Sequence, residues 1–128
     1  MEETGSFNFE ELNVYQKAVT FANLVYSLTT KFPTEERFIL IDQFRRAAIS
    51  ISLNIAEGYG TSNREFKRYL KIARGSVREC VALVTLSALR DYIDPAQSQL
   101  LRDNCIELSK MLSGFIQAVD SREVVGRR

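Results

Sequence analysis

The sequence predicts an all-α fold, an antiparallel up-down-up-down four-helix bundle. Three observations carry that prediction. Apolar residues recur at three- and four-residue steps in four separate segments, the pattern of helices with one buried face. The 128 residues include only two prolines and six glycines, too little turn punctuation for a sandwich or barrel. The breaks between segments are short, which forces neighbouring helices antiparallel.

Each element follows from local signals. Residues 1–11 form a leader with no readable pattern. The bundle is expected over residues 12–120 and a polar, frayed tail over 121–128. The first helix runs from about Leu12 to Phe32 on a stripe of Leu12, Tyr15, Val19, Ala22 and Tyr26, and stops before Pro33. The second runs from about Glu35 to Glu57 on Ile41, Phe44, Ala48, Ile51 and Ile55, with Gly58 and Gly60 ending it. Ser62-Asn63-Arg64-Glu65 has the form of a capping box and opens the third helix. That helix carries Phe66, Leu70, Ala73, Val77, Cys80 and Val84, and ends near Tyr92. Gly75 inside it is expected to let another helix approach closely. Asp94-Pro95 reads as N-cap plus first-turn proline for the fourth helix. Its stripe is Leu101, Cys105, Leu108, Leu112, Phe115 and Val119, fading near Asp120.

Composition narrows the chemistry. Apolar residues at 45% and charged residues at 26% are ordinary for one soluble domain of this length. Histidine is absent, which removes the commonest general base, the Ser-His and Cys-His pairs and most zinc sites. Cys80 and Cys105 have neither CxxC spacing nor the density of a disulfide framework. No stretch approaches the roughly 18 apolar residues of a membrane span. Met1-Glu2-Glu3 is acidic where a signal peptide is basic, so a cytoplasmic location with reduced thiols is expected. No phosphate-binding glycine loop appears, Ser50, Ser52 and Ser76 have no histidine base, and Asp42, Glu57 and Glu65 are scattered. The expectation is a protein with no catalytic residue, no metal and no cofactor, not an enzyme.

Charge is the informative feature. The net charge of +1 conceals a balance of −4 over residues 1–36, +6 over 37–78 and −1 over 79–128. Arg64, Lys67, Lys71, Arg74 and Arg78 step by three and four along the third helix, with Arg68 beside them and only Glu65 opposing. At 1.5 Å per residue the row spans about 21 Å. Like charges at this spacing cost a helix a few tenths of a kcal/mol each. Three things could offset that: a polyanion, the acidic first helix through salt bridges within the chain or between subunits, or plain solvation. Nucleic acid is the leading reading. Tyr59 and Tyr69 lie close enough in sequence to stack on bases, though core packing is their commoner use.

The second helix is too apolar for a simple bundle. From Phe38 to Ala56, twelve of nineteen residues are apolar, and Phe38, Ile39, Ile49 and Leu53 point away from its core stripe. Either the leader or the first connection covers them, or this face joins a second copy; self-association is favoured because large exposed apolar patches are rare on monomers. Gln43, Arg46, Ser50, Asn54 and Glu57 form a polar seam on the same helix, within about 80° on a helical wheel. The seam reads either as a ligand or RNA groove or as a hydrogen-bonded contact between subunits. Phe38, Ile39, Arg46, Ile49, Ser50, Leu53, Asn54 and Glu57 are the candidate oligomer interface.

These residues also carry a resemblance. Leu12-Asn13-Val14-Tyr15-Gln16-Lys17-Ala18 has an L-x-V-[WY]-Q-K-A form, followed by Phe32-Pro33 and Glu36. The run Gln43 to Ile51, then Asn54-Ile55-Ala56-Glu57-Gly58, has a Q-x-R-R-A-x-x-S-I-x-x-N-I-A-E-G form. Phe66, Tyr69-Leu70, Ile72-Ala73 and Gly75-Ser76 complete the pattern. Over about residues 9–119 the chain resembles the small four-helix-bundle family encoded in intervening sequences of bacterial 23S ribosomal RNA genes, with Tyr15 where Trp is common. That family is similar in architecture to the accessory variability proteins of diversity-generating retroelements, basic pentameric rings that bind nucleic acid and partner a reverse transcriptase. The resemblance implies a homopentamer, a link to RNA through gene location, and no catalytic residue. Its recurring positions fall on Gln43, Arg45, Arg46, Asn54 and Glu57, where a structural role also fits. The functional expectation is a non-enzymatic, oligomeric protein that binds RNA or another nucleic acid through Arg64, Lys67, Arg68, Lys71, Arg74 and Arg78. The alternative is a ring-shaped adaptor for a reverse transcriptase or other polymerase.

Overall fold

The computed structural model describes residues 7–126, so 1–6 of the expected leader and 127–128 of the tail lie outside the described residues. Four helices follow one another: α1 (Asn13–Thr29), α2 (Leu40–Gly58), α3 (Asn63–Leu89) and α4 (Pro95–Gly126). Each packs on the next, and α1 closes the bundle on α4. Side-chain contacts join the start of one helix to the end of its neighbour, as an up-down-up-down arrangement requires. Arg45 reaches Thr29, Tyr69 abuts Gly58, and Lys67 reaches Asp120.

The ends of the elements obey the local chemistry. Ser62 Oγ accepts the Glu65 backbone N–H at 3.1 Å and starts α3. Asp94 and Gln97 cap α4 reciprocally, each side chain accepting the other's backbone N–H, at 2.7 and 2.9 Å. Gly60, at φ +93°, turns the chain after α2. Asp91, at φ +62°, turns it after α3, which therefore ends at Leu89 before the expected Tyr92. Asp is among the few residues that tolerate this region. α4 continues past Asp120 to Gly126.

Three expectations need correction. The second helix begins at Leu40, not Glu35: a 3-10 turn at Thr34–Glu36 precedes it, and Ile39 leaves the helical region at φ −121°, ψ −92°. A long-range contact holds that connection, because the Tyr92 hydroxyl donates to Glu36 at 2.8 Å and the Phe32 and Tyr92 rings lie 5.1 Å apart. Second, the buried face of α1 is Val14, Ala18, Phe21, Val25 and Thr29. Each of these from Val14 to Val25 precedes a residue of the expected series, a rotation of about 100°. Val19 and Tyr26 are exposed instead, while Leu12, Tyr15 and Ala22 flank the core. Both series are apolar, and the one that buries Phe21 wins because Tyr15 and Tyr26 keep their hydroxyls near water. Third, Gly75 admits no helix of this chain: a Cβ there would meet nothing within 4 Å. The close approach is at Gly58, where an added Cβ would lie 2.5 Å from Tyr69 Cβ.

The other stripes are buried as expected. Phe44, Ala48, Ile51 and Ile55 of α2, all six named residues of α3, and Leu101, Cys105, Leu108, Leu112 and Val119 of α4 form one core. Phe115 is only partly buried and meets Phe66 edge-on at 5.0 Å; Ile116 takes the deeper position. Burying each large side chain contributes about 1.5–3 kcal/mol. Cys80 and Cys105 are free and buried, and burial pushes the Cys105 thiol up to about 12 and Cys80 higher still, so both are inert hydrophobes.

Candidate nucleic-acid interface

The cationic row lies along α3 on the side that faces α4. Lys67 Nζ reaches Asp120 Oδ1 at 2.7 Å, and Arg74 Nη1 donates to Ser113 Oγ at 3.0 Å. Seven residues forward on α3 match seven back on α4, the two-turn register of an antiparallel pair. Arg68 folds back on Glu65 at 3.0 Å and lies over the Tyr69 ring, 4.5 Å from its centre. The Glu65 hydrogen bond and charge raise the Arg68 pKa further. The hydrogen bond from Lys67 holds Asp120 below the usual carboxylate range. Arg64, Lys71 and Arg78 are exposed and enter no ion pair among the described residues. Arg64, Lys67, Arg68 and Lys71, with Glu65, line a concavity of about 340 Å³. Chain carboxylates therefore engage part of the row and leave the rest in water.

Tyr59 and Tyr69 serve packing. Tyr59 meets Phe66 edge-on at 5.5 Å, and Tyr69 fills the space Gly58 leaves open. The sequence pointed to the acidic first helix as the source of carboxylates for the row; Asp120 of α4 is what reaches Lys67, a contribution that sequence reasoning missed. Ser113 and Asp120 touch the row, and Lys110 lies beside Arg78 along one groove of about 570 Å³. The packed register of α3 against α4 sets Asp120 opposite Lys67, which spacing along α3 alone does not reveal.

The polar seam on α2 is satisfied largely within the chain. Gln43 Nε2 donates to Glu79 of α3, Ser76 Oγ donates to Ser50 Oγ at 2.9 Å, and Asn54 Nδ2 donates to Ser50 O at 2.7 Å. Arg46 finds Asp42 on its own helix at 3.1 Å. Arg45 ties α2 to the end of α1 through Thr29 at 2.9 Å and stacks over Tyr26, 4.5 Å from its centre. Beside the seam, Phe38 (84%), Ile39 (69%) and Leu53 (59%) are exposed and Ile49 is half-buried. The 3-10 turn of the leader (Asn8–Glu11) and that of the α1–α2 connection both touch α2, and Arg37 lies over the Phe38 ring, 5.5 Å from its centre, yet Phe38, Ile39 and Leu53 stay exposed. Arg46, Ile49, Ser50, Leu53, Asn54 and Glu57 line a concavity of about 360 Å³ on the outer side of α2.

Among the described residues no group of His, Cys, Asp or Glu is placed to hold a metal ion, and no helix is long and apolar enough to cross a membrane. Residues 10–114 match the family model of the 23S rRNA-intervening sequence protein. The chain belongs to this family. A solved structure similar to this family member is a protein of unknown function from the S23 ribosomal protein family of Bacteroides thetaiotaomicron. It is 27% identical, with a TM-score of 0.75 over 80% of this chain and 97% of that one. No curated protein matches the chain significantly.

Proposed function

We propose that this family member is a non-catalytic, oligomeric RNA-binding protein, cytoplasmic in setting, that uses α3 as a rigid row of phosphate contacts. The observation that carries the reading is the exposure of Arg64, Lys71 and Arg78 along one helix face, with no ion pair to any of them among the described residues. A row of fixed cations releases counterions from a polyanion, which supplies sequence-independent affinity. The family's description, which ties it to intervening sequences of 23S rRNA, supports RNA as the polyanion. With no base-reading module on the stripe, recognition is by shape and backbone.

The test is the triple change Arg64→Glu, Lys71→Glu and Arg78→Glu, which spares the Lys67 and Arg68 ion pairs. Binding of a short structured RNA is followed by fluorescence anisotropy across a salt series. Affinity should collapse while far-ultraviolet circular dichroism stays helical. Each single neutralisation should lower the slope of log affinity against log salt by about 0.7–0.9, the range from a single-strand to a duplex phosphate no longer neutralised. A triple variant with unchanged affinity and slope refutes the reading. Nuclease-resistant capture of one acidic protein, with no RNA affinity, would assign the stripe to an adaptor role instead.

A further inference from the structure

The row of cations runs into a second feature. Val77 and Val81 of α3 and Ile106 of α4 wall the groove of about 570 Å³ between the two helices. That volume lies within the range of about 300–1,000 Å³ typical of small-ligand sites. Arg78 stands on one rim and Lys110 on the other, and no carboxylate lines the groove. Gly114 leaves its α4 edge low: a Cβ there would meet nothing within 4 Å. Ser113 already accepts from Arg74, so its own hydroxyl hydrogen is available, and the Ser109 hydroxyl makes no hydrogen bond among the described residues.

We propose that this groove seats one unpaired RNA base, with the flanking phosphates on Arg78 and Lys110. The proposal rests on the RNA reading above and narrows its substrate to RNA with a base outside the stack. Charge complementarity selects an anion. The apolar walls select one with a flat apolar body, because a bare phosphodiester backbone would leave them uncovered. The two hydroxyls can each donate or accept, so they suit a base edge without fixing its identity. A base stacked and paired in a duplex offers no face to the groove and must leave the helix to enter it.

The experiment compares two RNA hairpins of the same stem sequence, each closed by the same non-nucleotide linker so that neither has loop bases, one fully paired and one with a single extra unpaired nucleotide, by anisotropy across a salt series. The intact protein should bind the bulged hairpin at least about fivefold tighter, the gain expected from covering one face of a base with apolar walls. Gly114→Leu, which fills the groove at a helical position with open space around it, should erase that preference. Affinity for the paired hairpin and its salt slope should stay unchanged. Ser109→Leu fills the groove from a different position and should do the same, so one misfolded variant does not decide the matter. Equal binding of the two hairpins by the intact protein overturns the groove proposal and leaves the phosphate row standing. A preference that survives both variants, or an equal loss for both hairpins, overturns it as well. Failure of the intact protein to bind either hairpin overturns the RNA reading, and the groove proposal falls with it.

Discussion

Two glycines of the same helical hairpin should respond in opposite directions to one added methyl group. Gly58→Ala places a Cβ 2.5 Å from Tyr69 Cβ, an atom fixed to the α3 backbone, so the two helices must part. Overpacking of this kind costs about 1–3 kcal/mol, read as a lower denaturation midpoint. Gly75→Ala adds its methyl to open space inside α3 and should raise stability by about 0.5–1 kcal/mol. Asp120 gives a third residue-level test. A carboxylate lowered in the fold stabilises it above the unfolded pKa, about 3.9, and that contribution is lost as pH falls through the folded value. Asp120→Asn has no such group, so its thermal midpoint should fall less than that of the parent from about pH 5 to about pH 2. At neutral pH the same change takes a negative charge from the end of the cationic row. It should strengthen RNA binding at low salt by up to about fivefold, the scale of one exposed charge contact.

The register of α1 is settled by two substitutions on neighbouring faces. Phe21 is fully buried, so Phe21→Ala should cost about 3–5 kcal/mol in chemical denaturation. Val19 is 42% exposed, and Val19→Ala should stay within about 0.5 kcal/mol. The reverse ranking would restore the face expected from the sequence. α1 was hard to place because it carries two apolar series side by side, and periodicity alone gives no reason to prefer Val14-Ala18-Phe21-Val25 over Tyr15-Val19-Ala22-Tyr26. On α3 a single unbroken apolar row runs about 120° round the helix from the cations, so core and stripe were both legible. Caps were legible for the same local reason: Ser62 and Asp94 act within three residues of themselves. The start of α2 was not, because the Tyr92 and Glu36 that hold its connection are 56 residues apart. For the cationic row, spacing along α3 revealed positions without partners. Which cations meet carboxylates depends on α4, and the groove beside Arg78 exists only once two helices pack.

At the scale of the molecule, two surfaces built from different residues should act together. The cations are on α3, and none of them lines the concavity on the outer side of α2. Leu53 in that concavity, and Ile39 at the start of α2, present exposed apolar surface that a second copy would cover. The expected species in size-exclusion with light scattering is a multiple of the 14.6 kDa chain. Leu53→Glu leaves the core intact, since the side chain is 59% exposed, so helicity and the denaturation midpoint at low concentration should persist while the mass drops to one chain. Repeating the row once per subunit raises the effective concentration of every row after the first has bound, and linked sites gain about 10²–10⁴ in avidity without any new interaction. Leu53→Glu should therefore weaken binding of a long RNA far more than of a hairpin short enough to occupy one subunit. Equal weakening of both would mean that Leu53 touches RNA itself; a variant that stays assembled would move the subunit contact elsewhere on the bundle.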